Sequence, residues 1–174
     1  MKLFHVSEEL NITTFYPRTP TRDDLDKNVK LVWAIDECRL PNFLTPRQCP
    51  RVAFYAGESS TQEDIGRLLT PTHKHCVAIE HGWLERAMQT KLYLYQFDPA
   101  NFYLQDEVAG YYVSQWAESP LYVTEINNPI SALFEKGVEV RLLGNLWHLA
   151  DVIQKSTLKW SLCRMANAKP REEE

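Results

Sequence analysis

The side chain in this sequence with the clearest capacity for chemistry is His5, which sits in the run Leu3-Phe4-His5-Val6-Ser7. An extended segment there puts it on one face with Leu3 and Ser7, against Phe4 and Val6 on the other. Such a histidine either finds a hydrogen-bond partner inside the core or grips a ligand hydroxyl or phosphate at the strand's end. The second group is Glu118, just past the aromatic run of residues 110–117 and just before Ser119-Pro120. A carboxylate at a strand end beside a cleft can stabilise a developing cation or position a nucleophile, although most glutamates are simply solvated. Alternation within the aromatic run sends Tyr112, Ser114 and Trp116 to one side, and Tyr111, Val113 and Gln115 to the other. Arg18, Arg47 and Arg51 each follow a proline. A guanidinium on so stiff a segment suits bidentate binding of phosphate, with scattered surface arginines as the plainer alternative.

Other chemistries find less support. His73, His75, Cys76 and His81 include a His-x-His spacing that places two imidazoles on one face of an extended segment, but no second ligand pair has zinc-like spacing. No metal is expected. Cys38, Cys49, Cys76 and Cys163 form no CxxC pair, and nothing beside them argues for an activated thiolate. None of the six glycines builds a GxGxxG or a phosphate-binding loop, and HExxH and GxSxG are missing.

The elements that must position these residues follow from length and pattern. A chain of 174 residues, 44% hydrophobic and 24% charged, is long enough to bury a core without disulfides. A single domain over residues 1–168 is expected, with 169–174 as a frayed acidic tail. Net charge −4 lacks the cationic footprint of duplex nucleic-acid binding, no apolar run approaches the roughly 20 residues of a membrane span, and unpaired cysteines suit a cytoplasmic setting. Strands are expected at 2–7, 31–36, 51–57, 76–81, 91–97, 110–117 and 120–126, with a further one in Val-Glu-Val-Arg-Leu-Leu. Helices are expected from a capping box at Ser60 and Glu63, over 82–89, after Asn128-Pro129 with a close at Gly137, and from Asn145. One helical turn is expected near Arg22 to Asp26, and the proline-rich stretch around Pro41, Pro46 and Pro50 reads as a rigid surface excursion. The result is an α+β fold on a mixed, largely antiparallel sheet.

The order of the pieces, with Leu-Phe-His-Val-Ser on the first strand, Phe-Tyr-Pro-Arg in a loop, Leu-Val-Trp-Ala-Ile-Asp on a strand and the late run from Gly110 to Ile126, resembles the ADP-ribosyltransferase superfamily. The likeness is to its bacterial small-molecule type, which includes the rifamycin-modifying enzymes. The chain is also similar to a family of uncharacterised bacterial proteins. The first resemblance implies NAD as the substrate, His5 at the ribose and Trp33 or Tyr55 at the nicotinamide. It implies Glu118 as the acid, with Ser7, Arg18, Arg47, Tyr112 and Ser114 around the ligand. Val6 and Ser7 stand where that family has Gly and Thr, and Trp33 where a tyrosine is more usual. Two alternatives remain at this point, a non-catalytic nucleotide- or partner-binding module of the same fold and an RNA-end phosphotransferase using Arg18, Arg47 and Arg51. The expected partner is a nucleotide or small molecule.

Overall fold

The computed structural model describes residues 1–21 and 24–171. Among these residues ten strands and four α-helices follow one another as β1 (Leu3–Ser7), β2 (Val32–Asp36), β3 (Arg51–Tyr55), α1 (Gln62–Leu68), β4 (His75–Glu80), α2 (Leu84–Gln89), β5 (Leu92–Phe97), β6 (Tyr103–Asp106), β7 (Tyr111–Ser114), β8 (Tyr122–Ile126), α3 (Pro129–Glu135), β9 (Glu139–Leu143), α4 (Trp147–Gln154) and β10 (Lys159–Cys163). The protein is therefore mixed α and β, and every strand pairing is antiparallel except β4 with β9. The strands divide between two sheets where one was expected. Chain contacts group residues 1–40 with 92–126 in one compact unit, and 41–91 with 127–174 in a second. Among the described residues no helix is long and apolar enough to cross a membrane.

The first unit carries a six-stranded sheet in the order β6-β7-β2-β1-β5-β8. Leu3, His5 and Ser7 of β1 stand opposite Phe97, Tyr95 and Tyr93 of β5, so these six side chains share a face. On that face Leu3, Val32, Ala34, Phe97 and Phe102 form a buried cluster, with Phe15 and Tyr112 packed against it. The strand β6 falls in a stretch with no clear apolar alternation, and the sequence reading missed it. The strand expected over 110–117 ends at Ser114, which leaves Trp116 70% exposed beyond it. The turn into β7 needs Gly110, whose φ is +66° and whose missing Cβ would lie 2.7 Å from Asp36 Oδ2.

The second unit holds the sheet β10-β3-β4-β9. Val52, Phe54, Cys76 and Ala78 of its central strands form a buried cluster with Leu146 and Ile153. Helix α1 is capped by Thr61, whose hydroxyl accepts from Asp64 N at 3.3 Å, one residue later than the expected Ser60. Ser60 instead accepts from Gly57 N and donates to the Thr157 carbonyl. Asn128 caps α3 through Ser131 N at 3.0 Å, as its sequence position leads one to expect. Residues 41–51 are no surface excursion, since Pro41, Asn42, Leu44, Thr45, Pro46, Cys49, Pro50 and Arg51 are all buried. Arg51 makes this possible by donating from Nε to Asn42 O at 2.5 Å and from Nη1 to Cys49 O at 3.1 Å, which satisfies backbone carbonyls withdrawn from water. The expected fraying from residue 169 is corrected too, because residues 169–171 are hydrogen-bonded to the body of the unit. Residues 172–174, and the start of the helical turn expected from Arg22, lie outside the described residues.

Candidate functional site

The ladder between β1 and β2 registers only Leu3 with Asp36 and Phe4 with Ile35, whereas β1 and β5 pair over five positions. Where the β1–β2 pairs stop, the side chain of His5 takes over and bonds through Nδ1 to the Trp33 carbonyl at 3.1 Å. A carbonyl can only accept, so Nδ1 carries the proton and the neutral ring has one tautomer. The half-buried imidazole packs against the Phe15 ring, with centroids 4.8 Å apart.

Phe15 is the organising residue of this face. Its ring also meets Tyr95 and Phe97 edge-on, both at 5.1 Å, and its backbone is bridged to Glu118 by two hydrogen bonds, Phe15 N to Glu118 O at 2.8 Å and Glu118 N to Phe15 O at 2.9 Å. Three residues further on, Arg18 and Leu31 exchange a second such pair, so residues 15–18 are strung in extended form between two backbone anchors. The Tyr95 hydroxyl holds the preceding loop, donating to Glu9 O at 2.7 Å and accepting from Ile12 N at 3.2 Å.

Glu118 is 7% exposed and Ser114 is fully buried. The Ser114 hydroxyl donates to Glu118 Oε1 at 2.5 Å and accepts from Trp116 N at 3.1 Å. A short bond to an ionised oxygen is of the stronger, charge-assisted kind and holds the carboxylate in one orientation. Val32 and Ala34 of β2 pair with Ser114 and Tyr112 of β7, which puts both β7 side chains on the His5 face.

The structure thus gathers His5, Ser7, Tyr112, Ser114 and Glu118 on one side of the first sheet. The Ser7 hydroxyl accepts from Glu9 N at 3.0 Å and shapes the turn after β1. Trp33 falls on the opposite side, because Trp33 and Ile35 share a face and Ile35 is paired with Phe4. Its indole meets Tyr111 edge-on at 5.3 Å. Arg18 is exposed at the bridge with Leu31. Arg47 and Tyr55 belong to the second unit, where Tyr55 is in ring contact with His75 at 5.2 Å. Arg51 is buried, with its guanidinium over the Phe43 ring.

Sequence reasoning missed Phe15, which carries no catalytic group yet sets the geometry; the Phe-Tyr-Pro-Arg segment was its only signal. The remaining candidates are structural. His75 Nε2 bonds Asn42 Oδ1 at 2.7 Å, His73 bonds neighbouring threonine hydroxyls, and Cys76 lies on the other face of β4 from His75. Among the described residues no group of three His, Cys, Asp or Glu could hold a metal ion. Burial pushes the Cys49 and Cys76 thiols up to about 12, so neither is a nucleophile near neutral pH.

Comparison with known proteins places the chain without explaining it. No curated protein and no solved structure matches it. The model of one family, described only as a family of unknown function, matches residues 4–168. That match spans nearly the whole chain, and the protein therefore belongs to this family, DUF6886.

Proposed function

We propose that the protein binds NAD on the core face of its first sheet and acts as an ADP-ribosyltransferase-like enzyme on an acceptor yet to be named. The observation that carries this is the junction at Phe15, whose ring touches the His5 imidazole and whose backbone is bridged to the buried Glu118. Breaking the bond between ribose C1′ and nicotinamide develops positive charge on the ribose, and a carboxylate already held in place stabilises that charge without reorganising. Ser114 does the holding, and the Trp33 carbonyl fixes the ring plane of His5 for a ribose hydroxyl. Trp33, expected at the nicotinamide, faces away from His5, whereas Tyr112, expected only around the ligand, shares the His5 face and takes the stacking role in this reading. The phosphotransferase alternative is weakened because Arg51 is engaged with backbone carbonyls in a buried loop.

The test is thermal unfolding with NAD, followed by an assay for nicotinamide release. NAD at ten times its dissociation constant adds about 1.4 kcal/mol, a rise of roughly 3–6 °C in Tm for a chain of this size. His5→Ala should lose the rise, and Glu118→Gln should keep it while losing nicotinamide release. A wild-type protein whose Tm does not move at millimolar NAD has no such site.

A further inference from the structure

In the second unit, three consecutive residues are read by side chains in the way a peptide is read. Glu80, at the end of β4 and only 3% exposed, accepts from Lys169 N at 2.9 Å. The indole Nε1 of Trp147 donates to Lys169 O at 2.8 Å, and Asn145 Nδ2 donates to Pro170 O at 2.8 Å. Asn145 is itself held by Trp147 N, which donates to its Oδ1 at 2.9 Å. Arg171 then lies over the Trp147 ring, 4.3 Å from its centroid, and makes a two-pronged pair with Asp151 at 2.7 and 3.0 Å.

These contacts are specific in kind. Successive main-chain groups of the segment meet a carboxylate, an indole N–H and an amide, with the indole ring under the following arginine and an acid to pair with it. Indole donors and aromatic walls are how proline-containing extended peptides are bound elsewhere, at low ordering cost because proline is already restricted. The groups come from the end of β4 and from the start and first turns of α4, all rigid elements, and a buried carboxylate such as Glu80 is costly to leave without a donor.

We propose that the groove of Glu80, Asn145, Trp147 and Asp151 is a binding site for an extended Xaa-Pro-Arg segment of a partner protein, and that residues 169–171 occupy it in cis. The tethered segment competes at high effective concentration, so it acts as a plug that a partner must displace.

The experiment uses the full chain and a fluorescent synthetic peptide of residues 166–171, with the same peptide carrying Glu in place of Arg as control. Arg171→Glu sets two acids against each other and releases the plug, while Lys169→Pro releases it independently by removing the amide that Glu80 accepts from. Both released variants should bind the peptide at least about tenfold more tightly than the wild type, and neither should bind the control. Adding Trp147→Phe to Arg171→Glu should abolish the gain. Released variants that keep the wild-type circular dichroism spectrum but ignore the peptide overturn the proposal. So does a wild-type chain that dimerises by exchanging residues 169–171, which would assign the groove to a second copy.

Discussion

Replacing Ser114 by alanine tests whether the Glu118 carboxylate is held or merely nearby. The hydroxyl is fully buried and makes two bonds, to Glu118 Oε1 at 2.5 Å and from Trp116 N at 3.1 Å. A bond to an ionised acceptor contributes about 1.5–3 kcal/mol. The amide bond adds about 0.5–1 kcal/mol, since water can replace the serine at so exposed a residue as Trp116. Ser114→Ala should therefore cost about 2–4 kcal/mol in urea unfolding at pH 7, with the m-value unchanged. In a Glu118→Gln background the acceptor is neutral and the same change should cost about 1 kcal/mol less, which is the coupling read by the double-mutant cycle. Equal costs in both backgrounds, within about 0.4 kcal/mol, would show that the serine does not position the carboxylate.

Gly110→Ala combines a left-handed backbone with a Cβ 2.7 Å from Asp36 Oδ2, and should lose about 2 kcal/mol or more of stability; a loss under about 0.5 kcal/mol would mean the turn is not as described. A thiol-specific disulfide reagent at pH 8 should label the exposed Cys38 at once and leave the buried Cys49 and Cys76 unmodified until the chain unfolds, and early modification of either buried thiol would contradict their placement. Hydrogen bonds from Thr157 N and Oγ1 hold the Asp64 carboxyl below its ordinary 3.8. Its contribution is thus complete above that value and lost as pH falls through the lower folded-state one, so the stability gap between wild type and Asp64→Asn should close on acidification and persist at pH 7.

Much of this architecture is legible in the sequence where periodicity and caps are local. The alternation of Leu3, His5 and Ser7 sets the inward face of β1, and Asn128-Pro129 with Gly137 marks both ends of α3. What long-range register decides is not legible. Trp33 and His5 each sit in a clear strand, yet only the pairing of Phe4 with Ile35 shows that they face opposite ways, and a shift of one residue would reverse it. The loop of residues 41–51 reads as surface because of its prolines, but Arg51, an ordinary surface residue by type, turns inward to satisfy its carbonyls. Residues 169–171 look like a tail by composition, and their partners Glu80, Asn145 and Asp151 are distant in sequence. Phe15 escaped notice for a similar reason, since a lone aromatic in a loop declares nothing until the rings around it are known.

The most direct measurement is a crystal structure of the protein soaked with NAD. Density for the nicotinamide riboside beside the Phe15 junction, with a ribose hydroxyl in hydrogen-bonding distance of the His5 imidazole and Glu118 facing C1′, is the result expected. Well-ordered NAD bound away from His5 and Glu118, or an empty core face at saturating NAD, would contradict it.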